Sequence, residues 1–254
     1  MWYKTFFHGL PQQAWQAAQT VEQTQLDLDL IIESLEFGPG DAVLDIFCGY
    51  GRHALPLARM GAQVTGVDIS ADYIDALKIE AAAKKLPLEA ICDDFLTTQA
   101  LNTRTGQFDA AYCLGNSFAF FPHDDMRRFL QRIADLLHPD GRLLVQSGLV
   151  AEVVLPDFQE RSWMPIGNEL TVLIENEYDP LESRIEQRLS YYRNVPGRAV
   201  ELEQRTAQYY VYTLAELTRM LAQVGLVVEA VYGTVDGQPF MVGDEGAWLV
   251  CTRE

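Results

Sequence analysis

Val43-Leu44-Asp45-Ile46-Phe47-Cys48-Gly49-Tyr50-Gly51-Arg52-His53-Ala54 is an apolar run interrupted by one acid, Asp45, and closed by two glycines. The apolar part reads as a buried strand, and Gly49 and Gly51 free the backbone to bend tightly against a ligand. Ala54, Leu57 and Ala58 then recur at helical spacing, with Gly61 placed to end the helix. Strand, glycine turn and helix together make a nucleotide-cradling unit. Asp45 decides which kind. A carboxylate between the strand and the glycines repels a pyrophosphate and holds an ammonium group. The unit therefore favours a nucleoside with an amino-acid tail over a dinucleotide.

The following segments continue the alternation. Gln63 to Asp68 reads as a second strand ending in an acid, and Asp68 lies seventeen residues past Gly51. That is close to the offset of about 20 residues at which a carboxylate meets ribose hydroxyls. Ser70 caps a helix running to about Lys85, and a third strand, Leu88 to Cys92, ends in Asp93-Asp94-Phe95. A carboxylate beside an aromatic ring suits an adenine. A fourth strand, Asp109 to Leu114, opens into Gly115-Asn116-Ser117-Phe118; an amphipathic helix (Asp124 to Leu137) and a fifth strand (about Arg142 to Ser147) follow. After a break in the rhythm, Thr213 caps a last helix, and Leu226 to Tyr232 and Ala247 to Thr252 read as closing strands.

These stretches resemble the class I S-adenosylmethionine-dependent methyltransferases over roughly residues 38–148 and 209–254. Leu136-Leu137-His138-Pro139-Asp140-Gly141-Arg142-Leu143-Leu144-Val145 is similar to that family's turn into its fifth strand. The resemblance implies an α/β fold, a doubly wound seven-stranded Rossmann-like sheet, with S-adenosylmethionine as cofactor. It places Asp45, Gly49 and Gly51 by the methionine part, Asp68 at the ribose, and Asp93 with Phe95 at the adenine, with Ile69 and Asp94 also among the cofactor-binding residues. Leu114, Gly115 and Asn116 would floor the site near the sulfonium. Phe47 departs from the pattern, standing where the family usually has a third glycine, so a less extreme bend is expected there. Asp140 replaces a frequent glycine in a turn that aspartate tolerates. No Asn-Pro-Pro-Tyr stretch follows the fourth strand, which disfavours methylation of an adenine or a glutamine amide.

Composition narrows the partners. Nineteen Lys and Arg stand against 36 Asp and Glu, a formal net charge of −17 over 254 residues. A nucleic-acid binder needs clustered cations to displace counterions, and the chain has no basic run to supply them. The same charge repels anionic membranes, and no apolar stretch reaches the length of a bilayer span. Cys48, Cys92, Cys113 and Cys251 fall in or beside strands without Cys-x-x-Cys spacing. No metal site is therefore expected, and reduced, buried thiols fit a cytoplasmic protein. The N-terminal Met1-Trp2-Tyr3-Lys4-Thr5 does not read as a signal sequence.

The expected organisation is an N-terminal helical lid (1–37), a cofactor-binding core (38–149 and 209–254) and an inserted antiparallel β cap (150–208). In the cap, Leu170 to Tyr178, Ser183 to Arg193 and Val200 to Tyr212 alternate as strands between the turns Asp179-Pro180 and Pro196-Gly197. Members of the Tyr191-Tyr192 and Tyr209-Tyr210 pairs face opposite sides, and Tyr192 and Tyr210 are taken as walls of the acceptor pocket. Trp2, Tyr3, Phe6 and Phe7 are too apolar for a free tail and should fold over the site. His123, after the fourth strand, is the histidine expected nearest the transferred methyl; His53 reads as a helix-end residue and His138 as part of a turn. A neutral amine or a phenolate needs no base, so a catalytic side chain is not required.

The leading expectation is methyl transfer to nitrogen or oxygen of a small-molecule acceptor. The stretch from Leu44 to Ala58 also looks like that of RNA uridine C5-methyltransferases, whose chemistry would require a nucleophilic cysteine; Cys251 is the only late one. A nicotinamide-dependent dehydrogenase and a non-catalytic nucleotide-binding protein are the remaining alternatives. For the cap, the competing role is a homodimer interface.

Overall fold

In the computed structural model, which describes residues 1–254, a short 3-10 turn (Trp2–Thr5) and helices α1 (Gly9–Ala18) and α2 (Val21–Leu35) precede the core. The core begins with β1 (Ala42–Ile46), α3 (Ala54–Arg59), β2 (Gln63–Asp68), α4 (Ala71–Ala83) and β3 (Leu88–Cys92). It continues with β4 (Phe108–Cys113), α5 (His123–Leu136) and β5 (Leu137–Ser147). A short α6 (Ala151–Val154) leads to β6 (Arg161–Ile166), β7 (Leu170–Asp179), β8 (Arg184–Arg193) and β9 (Glu201–Tyr210). The chain then returns through α7 (Leu214–Gln223), β10 (Leu226–Tyr232) and β11 (Ala247–Arg253).

The seven-stranded sheet has the order β3-β2-β1-β4-β5-β11-β10, with β1 to β5 parallel and β11 antiparallel to both of its neighbours. Its central strands are apolar on both faces because helices cover both faces. Val43, Ala110 and Leu144 pack with Ile31, Leu35 and Leu57 on one side; Leu44, Ala111 and Leu143 pack with Phe129, Ile133 and Leu221 on the other. The chain reverses helix placement between β1 and β4, so the loops after these strands diverge and leave a crevice at their carboxyl ends. Thr213 caps α7 with a reciprocal capping box to Glu216, as the sequence implied. Cys92 is exposed, contrary to the expectation of four buried thiols.

The turn after β1 enters the left-handed region even at Phe47. Phe47 itself adopts φ 63°, ahead of Gly49 at 53° and Gly51 at 82°. A left-handed conformation costs an ordinary residue about 1–2 kcal/mol. Packing offsets that cost: the Phe47 ring lies nearly parallel to Phe129 at 5.8 Å and also contacts Phe95, Phe120 and Phe121. Asp140 takes φ 66°, the turn geometry expected of it. At Gly51 a Cβ would lie 2.4 Å from Leu77 Cδ1, in a conformation already unfavourable to side chains. Gly51→Ala should therefore lower stability by about 2–3 kcal/mol, read as a reduced urea midpoint at unchanged slope.

The cap is a second sheet of four strands, β6-β7-β8-β9, one more than the sequence indicated. The additional strand, Arg161–Ile166, contains Pro165 and no clean alternation, which is tolerated because it lies at the sheet edge. β9 runs through Tyr210, so the boundary drawn at residue 208 cuts a strand, and the core resumes with Val211 and Tyr212. Register puts Val172 opposite Tyr191 and Ile185 opposite Tyr209. Tyr191 and Tyr209 thus share the packed face with Leu189 and Ala207, which are buried with Phe6 and Leu10 of the lid. Tyr192 and Tyr210 stand on the other face, one residue out of phase with the expectation.

Candidate active site

A cavity of about 470 Å³ lies beyond the carboxyl ends of β1, β2 and β4, between the core, the lid and the cap. Its methionine-side and ribose-side lining includes Asp45, Gly49, Asp68 and Ile69. Asp93, Asp94, Phe95, Leu114, Gly115 and Asn116 complete the expected set that lines it. Gly51 does not. Its amide donates to Cys48 O at 2.9 Å and it packs on Leu77, so it shapes the turn from beneath.

Asp45, at the end of β1, is 3% exposed, and its Oδ2 has no hydrogen-bond partner. Its register neighbour Tyr112 is also buried, and the Tyr112 hydroxyl likewise makes no hydrogen bond of ordinary geometry. Burial raises the Asp45 carboxyl to about 7, with the Asp68 charge adding to the rise and Tyr112 and Arg52 opposing it. An orphaned, buried carboxylate oxygen facing a cavity is costly unless a donor arrives. An ammonium is such a donor.

Asp68 closes the next strand and organises the glycine turn. Its Oδ2 accepts from Gly49 N at 2.9 Å and its Oδ1 from Ser70 N at 2.8 Å. Burial raises this carboxyl above its ordinary value, against the backbone amides that hold it down. Ser70 caps α4 without using its hydroxyl for that purpose, because Oγ accepts from Gln12 Nε2 at 3.2 Å. Asp94 is likewise taken up by the lid: Lys4 Nζ lies 2.8 Å from Oδ2, to which Tyr3 also donates at 3.4 Å, and Leu96 N donates to Oδ1. Asp93 remains exposed, and Phe95 is buried beneath, with Arg132 over its ring at 5.7 Å. Only Asp93 of this acid pair is free for a ligand.

After β4, Gly115 (φ 84°) and Asn116 (φ 66°) form a left-handed turn whose amides both donate to Gln146 Oε1, at 2.9 and 3.1 Å. Asn116 Oδ1 in turn accepts from Gly148 N and Gln146 Nε2. Trp15 of α1 covers Gly115, where a Cβ would approach its ring to 3.1 Å. Gln146 was not among the expected site residues, because its role arises from a side chain reaching across to the adjacent strand.

The lid contributes a second buried group. Asp27 of α2 binds Arg52 Nη1 at 2.5 Å and His53 Nε2 at 3.2 Å, and Arg52 and His53 line the cavity. Burial works against the Asp27 charge, but His53, Arg52 and Gln23 outweigh it and hold the carboxyl below its ordinary value. Burial also lowers His53, aided by Arg52, so its ring is neutral at pH 7 despite Asp27. His53 is thus more than the helix-end residue it appeared to be in sequence. His123 lies elsewhere, at the exposed start of α5 in a separate groove with Arg127, Glu216 and Arg219. Tyr192 and Tyr210 are absent from the cavity wall, which Tyr191 and Tyr209 occupy. Cys251 is fully buried in β11 and its thiol is pushed up to about 12, so it presents no nucleophile.

This geometry agrees with the comparisons. Residues 43–141 match the model of a methyltransferase domain. That segment is similar to methyltransferase domains and spans less than half of the chain. The ubiquinone biosynthesis O-methyltransferase of Rhodopseudomonas palustris is 36% identical over 114 residues, covering 44% of this chain and 42% of that protein. The match spans 42% and 57% of the length of the first two curated relatives. An S-adenosylmethionine-dependent methyltransferase from Clostridium acetobutylicum superposes with a TM-score of 0.78 at 15% identity, covering 91% and 92% of the two chains. CalS10, an amino pentose methyltransferase from Micromonospora echinaspora solved with S-adenosylmethionine bound, gives 0.70 at 16% identity over 97% and 98%. The methyltransferase domain supplies the floor of the cavity, while the cap that roofs it lies outside the matched segment.

Proposed function

We propose that the protein is an S-adenosylmethionine-dependent methyltransferase that alkylates nitrogen or oxygen of a small-molecule acceptor. The unpartnered, buried Oδ2 of Asp45 at the glycine turn carries this reading, because it calls for a cation that a dinucleotide would not bring. Arg52 on the same wall complements it with a positive charge. Together they suit an amino acid's ammonium and carboxylate. Asp68 is held by two backbone amides and retains lone pairs for ribose hydroxyls. Asp93, free of other partners apart from the amide next to it, would accept from an adenine amine between Ile69 and Phe95.

When bound, the cofactor supplies an electrophilic methyl group on sulfur. The chain's own residues do the rest by holding and by excluding water. Gln146 fixes the Gly115-Asn116 turn, and the lid and cap close the space above it. The cap offers no free base, because burial raises the Tyr191 and Tyr209 hydroxyls above their ordinary values; on the core wall His53 donates from Nε2 to Asp27 and keeps an unprotonated Nδ1.

Calorimetric titration tests the class directly. S-adenosylhomocysteine should bind at micromolar strength or better, and NAD should give no heat; the reverse order would overturn the proposal. With a net charge of −17, tRNA and DNA should show no salt-sensitive gel shift at low micromolar protein. Release of the cofactor product should be gated by the lid, since Tyr3 and Lys4 are tied to Asp94. Stopped-flow release of S-adenosylhomocysteine should accelerate about three- to tenfold in a Tyr3→Phe, Lys4→Ala double variant. An unchanged rate would remove the lid from the exit path.

A further inference from the structure

We infer that the acceptor is an uncharged, largely apolar molecule, gripped under the cap by hydrogen bonds to the hydroxyls of Tyr191 and Tyr209. This rests on the methyltransferase reading and specifies the substrate class for it. The lid and cap walls of the cavity carry no charged side chain; Phe7, Trp15, Ile166, Val172, Ile174 and Leu189 are typical of them. The charges that line the cavity all come from the core: Asp45, Arg52, Asp68, Asp93 and Asp94, with His53 neutral beside them. Those groups belong to the part assigned to the cofactor.

The cap does point charges inward, but spends them on the joint with the lid. Glu203 and Arg205 share the packed face of β9, pair at 3.0 Å, and Glu203 accepts from Leu10 N at the start of α1. Arg205 also reaches His8 at 3.4 Å. Neither residue lines the cavity. A charged acceptor group placed there would be stripped of water with no counter-ion, which is the costly case. An acceptor amine must therefore enter as the free base.

Three polar groups of the cap remain to orient a neutral molecule. Tyr191 is 5% exposed, and neither its hydroxyl nor that of Tyr209 is hydrogen-bonded within the protein. Gln187 donates to Asn176 at 2.9 Å, which leaves its amide oxygen as an acceptor on the cavity wall. The Tyr209 ring is held by an edge contact with Trp2 and a tilted contact with Phe120. Phenol hydroxyls both donate and accept, which suits alcohol, carbonyl, ether or neutral amine groups on an apolar frame.

The test is a set of one- and two-ring aromatic compounds in matched neutral, carboxylate and ammonium forms. Each is titrated by calorimetry into protein saturated with S-adenosylhomocysteine. Neutral members should bind at least tenfold tighter than either charged form. Tyr191→Phe and Tyr209→Phe should each weaken members bearing a hydroxyl or carbonyl by about three- to tenfold. The same variants should leave the bare hydrocarbon frames, and S-adenosylhomocysteine itself, within threefold. Equal or tighter binding of a charged form overturns the inference, as does a set in which no neutral member binds. Failure of S-adenosylhomocysteine to bind would instead overturn the cofactor assignment, so the two failures are distinguishable.

Discussion

Asp68→Ala should weaken S-adenosylhomocysteine binding by about 3 kcal/mol, more than a hundredfold, while the protein stays folded. Two losses combine. Charged hydrogen bonds to ribose hydroxyls are worth about 1.5–3 kcal/mol in a partly buried site. The same carboxylate also holds Gly49 N at 2.9 Å and Ser70 N at 2.8 Å, so its removal frees the turn that faces the methionine end. Asp68→Asn separates the two contributions. The amide keeps one oxygen for one backbone donor and turns its NH2 toward the other, so it should lose nearly as much affinity as alanine. Calorimetry with thermal unfolding as the folding control reads both. Affinity within threefold of the parent in the alanine variant would refute the ribose assignment.

The parts legible in the sequence were those in which local chemistry and position coincide. Asp68 ends β2, Asp45 stands one residue before the end of β1 and Asp93 directly follows β3, where any doubly wound sheet exposes its ligand edge, so their position along the chain put them on the cavity wall. Phe47 was misread because a glycine position in a pattern speaks of backbone preference, whereas the left-handed turn is sustained by tertiary packing on Phe129. The cap parity shows the same limit. On β8, Ile185 and Leu189 alternate with Glu186 and Arg188, so the odd residues are visibly inward and Tyr191 could have been chosen. On β9 the inward set includes Glu203 and Arg205, while outward Leu202 is exposed. Its alternation is inverted by the lid joint, and Tyr209 could not be read from it. Asp27 and Gln146 were invisible for a different reason: their partners lie 25 to 30 residues or more away, and only the folded arrangement joins them.

Binding of S-adenosylhomocysteine should strengthen as pH rises toward 7, by up to tenfold per unit, and then level off. The cause is Asp45, whose carboxyl is raised by burial and by the Asp68 charge from 3.8 to about 7. Below that value the ligand-free site holds a neutral acid, and an ammonium must first drive off its proton. The same shift has the opposite sign for stability of the free protein. A folded value above the unfolded one means that the folded chain binds more protons between these limits. The stability from this group is complete below pH 3.8 and is lost as pH rises through 7. Free and liganded proteins should therefore diverge in thermal midpoint between pH 5 and 7.5, because this group makes the free form decline while its contribution to the liganded form stays level. The Arg52 charge already contributes to the Asp45 value, and Tyr112 remains neutral because burial and Asp45 both raise it. His53 titrates lower than an ordinary imidazole and faces Asp27 rather than Asp45. Asp45→Asn isolates the effect: the amide cannot ionise, so both pH slopes should flatten while affinity at pH 8 falls at least thirtyfold. A variant that keeps the parental slope would show that another group titrates, and that Asp45 does not hold the ammonium.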